Sequence, residues 1–182
     1  MSFCNDIRTT TRRYVAEINK KNAALAAFEQ QKAGYYSPQT FQKKRGELVQ
    51  EKQDTIEAAR AAVQALVDRY KDGLKDADVL NGSDVTDDAK LLTGAFKLTA
   101  ADLEAMFDRS SGNRTMLRLI MDYAREHSIF IARKFYTAED KRDGAKTMLQ
   151  YAYNSFSRPE YADLMDTDEY FEQITPDAVK GE

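Results

Sequence analysis

The sequence predicts an all-α protein, with a long, coiled-coil-like antiparallel helical hairpin followed by a small bundle of short helices. The 182 residues include only 3 Pro and 8 Gly, and 31% are charged, which suits helices with solvated faces. Apolar residues recur at heptad spacing early in the chain, and shorter segments with helix-capping signals follow. A chain of this length is one domain, or one domain with a helical extension, and it can bury a core.

The first element is an apolar stripe at helical spacing. Ile7, Tyr14 and Phe28 fall seven or fourteen residues apart, and Ile18 and Leu25 occupy the complementary position. This pattern predicts an amphipathic helix that runs from Ile7 to about residue 32.

A stop-and-restart signal separates this helix from the second one. Gly34 is placed as the residue after a helix end, and Ser37 followed by Pro38 resembles an N-cap with proline at the first helical position. The second stripe consists of Phe41, Leu48, Val49, Ile56, Ala59, Val63, Leu66 and Tyr70. It predicts a helix to about Lys71, before Gly73, and the short connection predicts an antiparallel hairpin.

The apolar faces of the hairpin are narrow, with mostly one or two apolar residues per turn. Such a seam suits coiled-coil pairing better than burial in a globule. The two helices either satisfy only each other, or also form a homodimer through the hairpin or dock on a partner. The sequence leaves both interpretations open.

We predict three regions: the hairpin over residues 1–72, an acidic linker over 73–88, and a small helical bundle with an acidic C-terminal tail over 89–182. The helical period lapses in the linker, which is rich in Asp. Asp76 and Asp78 do not continue as a calcium loop, because Leu80 and Asn81 stand where a further oxygen ligand and a glycine are needed. No metal or other cofactor is expected.

Capping signals divide the bundle into short helices. The predicted starts and stops are Thr86 with Gly94, Thr99 with Asp102, the turn 110–113, Thr137 with Asp140, and Pro159. Two of these pairs resemble capping boxes that use Asp in place of Glu. The segment Ile129 to Ile131 is either buried helix or a short strand, because periodicity does not distinguish the two.

The net charge of −3 conceals four blocks of alternating sign. Residues 1–71 carry +5, residues 72–108 carry −6, residues 109–158 carry +5 and residues 159–182 carry −7. The near-neutral total therefore excludes only a uniformly basic nucleic-acid surface. Blocks of this kind can steer a charged partner.

Two charged clusters are candidate binding sites. The candidate phosphate-contacting residues are Arg109, Arg114, Arg118 and Arg125. Their alternative role is a solvated face balanced by Asp122 and Glu126, which we favour over direct nucleic-acid contact. The candidate partner-binding residues form an acidic-aromatic cluster, Glu160, Tyr161, Asp163, Asp166, Asp168, Glu169, Tyr170, Phe171 and Glu172. Such a cluster suits docking in a basic groove.

The sequence contains no motif that points to catalysis. Phosphate-cradling glycine loops, HExxH and CxxC are absent from the sequence. His127 is the single imidazole and lies at a predicted helix end, without a nucleophile elbow. The single cysteine, Cys4, excludes a disulfide within the chain, and we expect it to be a reduced thiol near a frayed end. We therefore do not expect an enzyme.

We expect a soluble protein of the bacterial cytoplasm. No run approaches the roughly 18 to 20 apolar residues that span a bilayer. The start of the chain, residues 1–13, is polar and charged and lacks the apolar core of a secretory signal.

The stretch AKLLTGAFKLTAADLEAMFDRSSGNRTMLRLIMDYAREHSI, with its TMLRLI core, resembles helical proteins carried by phages and prophages of gut Firmicutes. In size and in its acidic patches the whole chain is also similar to anti-CRISPR proteins. That resemblance implies a non-enzymatic inhibitor that binds a type II CRISPR effector nuclease with its guide RNA and blocks target DNA.

A second class of phage protein with a coiled-coil arm is the capsid scaffolding or head-morphogenesis protein. Such scaffolds commonly end in a basic helix, whereas this chain ends in a block of −7. The preferred hypothesis is therefore the inhibitor, with the acidic-aromatic cluster as its contact. The alternatives are a scaffold and a nucleic-acid-binding helical protein.

Overall fold

In the computed structural model, residues 3–30, 35–77, 79–159 and 161–163 are described, and all their regular secondary structure is helical. The predicted all-α class is confirmed. The α-helices are α1 (Phe3–Gln30), α2 (Pro38–Gly73), α3 (Ala100–Arg109), α4 (Arg114–Glu126) and α5 (Ala138–Ser155). Two 3-10 helices, Gly82–Asp84 and Asp87–Thr93, lie between α2 and α3.

The chain divides into two compact units. The first contains residues 1–72 and 143–182, and the second contains residues 73–142. The first boundary lies between Asp72 and Gly73, at the C-terminal end of α2. The second boundary falls inside α5, so the predicted 89–182 bundle differs from the observed division, which groups residues 143 onward with the hairpin.

Helices α1 and α2 form the antiparallel hairpin that the two stripes predict. Near the corner, the ring of Phe28 stacks on Phe41 with 4.9 Å between centroids. At the opposite end, Phe3 stacks on Tyr70 at 4.2 Å. Since the residue numbers rise along one helix as they fall along the other, the helices run in opposite directions.

Ion pairs across the hairpin hold the same register. Lys21 Nζ lies 2.6 Å from Glu51 Oε2, and Arg45 Nε lies 2.7 Å from Glu29 Oε1. Each pair is partly exposed, so it contributes little stability, but it opposes a register shift that would separate the charges.

The inner face of α1 follows a heptad pattern. Its inward positions are Cys4, Ile7, Thr11, Tyr14, Ile18, Lys21, Leu25 and Phe28. Alternating steps of three and four residues keep these side chains on one face toward α2. Burial differs between the two halves of the hairpin. Cys4, Ile7, Thr11 and Ile18 of α1 are buried, whereas no residue of 19–30 or 35–55 is fully buried.

Helix α5 completes the core of the first unit at the end of the hairpin away from its corner. Met148 lies against Cys4, with 3.8 Å between the sulfurs, and Tyr153 Oη donates to Gln64 Oε1 at 3.0 Å. The buried core of this unit consists of Cys4, Ile7, Ile18, Ala59, Val63, Val67, Ala145, Met148, Ala152 and Phe156. The residues from α5 recur at spacings of three and four, so the helix presents an apolar face to the hairpin.

The position of Cys4 differs from the expected frayed end. Its side chain is 3% exposed and belongs to the core of the first unit. The reason is that α1 begins at Phe3 and α5 covers its first turns.

The second unit is built around α3 and α4. Its core consists of Leu103, Met106, Ile120, Tyr123, Ala124 and Ile131, with Leu91 and Leu92 of the longer 3-10 helix packed against it. Gly94 ends that 3-10 helix at φ 81°, a left-handed conformation that favours glycine, as the sequence predicts.

The predicted linker over 73–88 is packed against α4. Asn81 N donates to Thr115 Oγ1 at 3.2 Å, and Asn113 Nδ2 donates to the carbonyl of Asp84 at 2.6 Å. Leu74 is 3% exposed. Short 3-10 turns and polar side-chain contacts stabilise the segment, and an apolar-periodicity argument does not detect either feature.

The predicted helix starts at Ser37, Thr99 and Thr137 agree with the structure, whereas Thr86 precedes a 3-10 helix without a side-chain capping bond. Ser37 Oγ accepts from Thr40 N at 3.2 Å before α2. Thr99 and Asp102 form a capping box at α3, and Thr137 and Asp140 make the equivalent bonds before α5. The predicted helix stop at Gly34 lies outside the described residues.

The segment Ile129 to Ile131 is neither helix nor strand. Helix α4 ends at Glu126, and Ser128 takes φ 53°, which turns the chain out of the helix. In the following residues, which form no regular secondary structure, Ile131 is buried and Phe130 is exposed. The two apolar side chains on the inner side explain why the sequence resembled a core element.

Candidate protein-interaction surface

A cleft of about 340 Å³ opens in the second unit between the segment after the longer 3-10 helix and the end of α4. Its lining residues are Gly94, Phe96, Lys97, Leu98, Tyr123, His127 and Ile129. This volume lies at the lower end of the range of roughly 300 to 1,000 Å³ for small-ligand sites. The cleft is therefore large enough for a bulky side chain.

The wall formed by α4 is fixed by aromatic stacking and hydrogen bonds. The rings of Tyr123 and His127 stack with 4.0 Å between centroids and an interplanar angle of 17°. Tyr123 Oη donates to the carbonyl of Phe96 at 3.1 Å, and His127 Nδ1 lies 3.0 Å from the carbonyl of Tyr123. Because a carbonyl oxygen only accepts, Nδ1 carries the proton.

Phe130 is the most exposed apolar side chain near the cleft, at 86%. It follows directly after Ile129, which lines the cleft, and precedes Ile131, which is 7% exposed in the core. Phe130 thus lies between two isoleucines that face the interior, and its own side chain offers apolar surface that a partner can contact.

The loop that carries Phe130 is held on both sides. Before Phe130, the Ile129 N–H donates to the carbonyl of Ala124 at 2.8 Å. After it, the Ala132 N–H donates to Glu104 Oε1 at 2.7 Å. The backbone around Phe130 is therefore anchored to both α3 and α4.

A two-bond ion pair adds a further anchor. Arg133 Nε and Nη2 donate to the two carboxylate oxygens of Asp108, each at 2.8 Å. These hydrogen bonds lower the pKa of Asp108 and raise the pKa of Arg133. The paired geometry fixes the loop against the C-terminal part of α3.

We define the Phe130 surface as Phe96, Lys97, His127, Ile129 and Phe130. It combines an exposed aromatic side chain, a cleft and a loop that is already ordered. An ordered loop loses little conformational entropy on binding, and a bulky apolar residue is typical of an interface anchor. The arrangement therefore suits association with another protein.

The four predicted phosphate-contacting arginines are engaged within the second unit. Arg109 Nη2 lies 3.1 Å from Asp88 Oδ2, and Arg114 Nε donates to the carbonyl of Ala77 at 3.0 Å. Arg118 and Arg125 both approach Asp122, at 3.6 and 3.4 Å. Asp122 thus balances two arginines of the same helical face.

Most of the acidic-aromatic cluster lies outside the described residues. Tyr161 and Asp163 are described, and Asp163 is exposed. Between them, the Ala162 N–H donates to the carbonyl of Pro159 at 2.9 Å, and Ala162 is 7% exposed. Glu160, Asp166, Asp168, Glu169, Tyr170, Phe171 and Glu172 lie outside the described residues.

Among the described residues, no group of three or more His, Cys, Asp or Glu side chains is arranged to hold a metal ion. In the same part of the chain, no helix has the length and apolar character required to cross a bilayer.

Comparisons with protein-family models, with curated proteins and with solved structures found no match to this chain.

The sequence patterns do not indicate the Phe130 surface. The run from Ile129 to Ile131 was treated as a core element because three consecutive apolar residues carry no helical or alternating signal. The informative features were the helix-end residues before the run and the acids of α3 that hold the loop. Neither of these two features shows which residues are in contact until the fold is known.

Proposed function

We propose that this chain is a non-enzymatic interaction protein of phage type that inhibits a host nucleic-acid enzyme. The specific proposal is an anti-CRISPR inhibitor that binds a type II CRISPR effector nuclease with its guide RNA. The Phe130 surface supplies a protein contact, and the acidic-aromatic tail occupies a basic groove of the enzyme.

The observation that carries the proposal is the exposure of Phe130 on an anchored loop. A partner that covers the Phe130 side chain, which is 86% exposed, removes apolar surface from water, and this is favourable. Because the loop is bonded to α3 and α4, the side chain is presented without a large ordering cost. These features support protein binding rather than catalysis.

The sequence of the tail supports the choice of a nucleic-acid enzyme as the partner. Residues 159–182 carry eight acidic and one basic side chain, with aromatic residues among them. A segment of this composition complements the basic channel in which an enzyme binds nucleic acid.

The arginine pairings make direct nucleic-acid binding the weaker alternative. A phosphate backbone needs several cations, and Arg109, Arg118 and Arg125 each lie beside a carboxylate. If these arginines did bind DNA or RNA, the affinity would fall steeply as salt increases. A flat salt response would remove this alternative.

The test is a pull-down of the full chain by an immobilised type II effector nuclease loaded with its guide RNA. Wild type is expected to be captured, and Phe130→Ala is expected to reduce capture at least about tenfold, as for an interface anchor. Tyr35→Ala is the matched control, because Tyr35 is 87% exposed and lies in the other unit. It should leave capture unchanged.

A second variant tests the tail. It replaces the acids Glu160, Asp163, Asp166, Asp168, Glu169, Glu172 and Asp177 with their amides, and we expect weaker capture. Capture that is insensitive to this variant would remove the tail as a contact. No capture of the wild type would overturn the inhibitor proposal itself.

The second candidate function is a capsid scaffolding or head-morphogenesis protein. It is favoured by the half of the hairpin near its corner, where residues 19–30 and 35–55 include no fully buried side chain. Such an arm suits pairing with a second copy in an assembling shell. A neighbouring gene for a major capsid protein, with co-assembly on co-expression, would favour the scaffold over the inhibitor.

A further inference from the structure

The cleft of the Phe130 surface offers an apolar wall to a ligand. The wall consists of Phe96, Leu98, Tyr123 and Ile129. Tyr123 is 5% exposed and its hydroxyl is bonded to the Phe96 carbonyl, so the wall is ordered and its phenol is already satisfied. An apolar side chain that enters the cleft is shielded from water without displacing this hydrogen bond.

The polar side-chain groups left at the cleft are the ammonium of Lys97 and one ring nitrogen of His127. Lys97 makes no ion pair within the described part of the chain. His127 uses Nδ1 to donate to the Tyr123 carbonyl, so Nε2 of the neutral ring accepts a hydrogen bond, such as one from a peptide N–H. A carboxylate is the group best matched to the ammonium of Lys97.

Nearby acids have partners of their own. Asp102 bonds Thr99, Glu104 accepts from the Ala132 N–H, and Asp108 pairs with Arg133. Glu126 precedes His127 in the chain and is exposed, but it does not line the cleft. The cleft itself thus contains no carboxylate that competes for Lys97.

The charge of the second unit favours a peptide over nucleic acid as the occupant. Residues 73–142 contain 11 Lys and Arg against 12 Asp and Glu. A strand of nucleic acid would bring several phosphates, whereas the rim offers one unpaired lysine. An acidic peptide needs only one good ion pair beside a buried side chain.

We propose that the cleft binds a short acidic segment of the partner protein, in which an aromatic or large aliphatic side chain is flanked by carboxylates. The apolar side chain fills the cleft, and a neighbouring carboxylate pairs with Lys97. This inference rests on the proposed protein-binding function and specifies the chemistry that the partner presents.

The test measures fluorescence anisotropy of a labelled pentapeptide, Glu-Glu-Phe-Glu-Glu, with the full chain. Two matched peptides replace either the four Glu with Gln or the Phe with Ala. We expect binding of the first peptide and about tenfold weaker binding of each of the others. Lys97→Gln should weaken the first peptide about tenfold, whereas Lys20→Gln, an exposed lysine of α1, should not.

The possible results distinguish failure of the cleft proposal from failure of the proposed function. Absence of peptide binding, or binding that ignores Lys97→Gln, would overturn the cleft proposal. Tighter binding of a labelled oligo(dT) than of the peptide would overturn it in favour of nucleic acid. Capture by the effector that depends on Phe130, without peptide binding, would overturn the cleft alone. Peptide binding with the expected Lys97 dependence, but without capture by the effector, supports the cleft and overturns the proposed enzyme partner.

Discussion

Arg133 and Asp108 are joined by two hydrogen bonds of 2.8 Å, one to each carboxylate oxygen, and this pair links the loop after α4 to α3. The pair spans 25 residues of sequence. It therefore stabilises tertiary structure at the base of the Phe130 loop.

The pair predicts a pH dependence of stability. Asp108 has its pKa lowered chiefly by the Arg133 hydrogen bond, so the folded state holds fewer protons than the unfolded state near the ordinary value of 3.8. The stabilisation that the ionised Asp108 provides is fully present above its pKa in the unfolded state. It is lost as the pH falls through the lower pKa of the folded state. Asp108→Asn should show a smaller loss of unfolding free energy below about pH 4, measured by urea denaturation at stepped pH.

Asp102 supplies an internal comparison, because its pKa is lowered by the hydroxyl and backbone of Thr99 rather than by an arginine. The double variant Asp108→Asn with Asp102→Asn should lose less unfolding free energy at acid pH than either single variant. If Asp108→Asn loses as much unfolding free energy at acid pH as the wild type, the role assigned to the Asp108–Arg133 pair is wrong.

Ser128 predicts a stabilising substitution. It adopts φ 53° at the end of α4, and its N–H donates to the carbonyl of Arg125 at 3.2 Å while that of Ile129 bonds Ala124. This is the bonding pattern of a helix end that usually contains glycine. Ser128→Gly should raise the unfolding free energy by about 0.5–1 kcal/mol, after the larger entropy of glycine in the unfolded chain is subtracted.

Ser128→Val is the opposing control, since a β-branched residue is strained in this conformation. It should lower thermal stability, whereas the glycine variant should raise it. Equal melting temperatures for the two variants would show that the left-handed conformation costs nothing here.

Thr11 predicts a second stabilising change. Its side chain is buried in the first unit, and among the described residues its hydroxyl has no hydrogen-bond partner. Thr11→Val keeps the shape and removes the unsatisfied group, so it should stabilise the protein by about 1 kcal/mol. Thr9→Val on the exposed side of α1 should change stability by less than about 0.5 kcal/mol in the same urea titration. A loss of stability in Thr11→Val would indicate that the hydroxyl is satisfied in solution.

Met148 tests the packing of α5 on the hairpin. Its side chain is fully buried and lies beside Cys4. Met148→Ala should leave a cavity and cost about 2–5 kcal/mol in unfolding free energy. Gln150→Ala, on the exposed side of the same helix, should cost less than about 0.5 kcal/mol. Equal costs for the two variants would contradict the observed core.

Local features of the fold were predictable because their causes lie close together in sequence. Ser37 with Thr40, and Thr99 with Asp102, meet within one helical turn, so a capping signal defines both partners. The heptad stripes likewise predicted α1, α2 and their antiparallel pairing.

Long-range features were not predictable from the same patterns. Cys4 and Met148 are 144 residues apart, and an apolar face on α5 does not indicate which helix it meets. The sequence predicts either buried helix or a short strand around Phe130. It does not indicate that Phe130 is exposed, because this exposure depends on the turn at Ser128 and on the acids of α3. Of the predicted acidic-aromatic cluster, only Tyr161 and Asp163 lie in the described part of the chain.

The unequal burial along the hairpin has a consequence for synthesis on the ribosome. The contacts that form most readily, such as Phe28 with Phe41, join residues close in sequence, but they lie in the half with no fully buried side chain. The well-buried half requires Met148, which is translated well after both helices of the hairpin. The nascent hairpin therefore emerges with the seam around Ile7 and Val63 uncovered, and it reaches its full stability only when α5 leaves the exit tunnel.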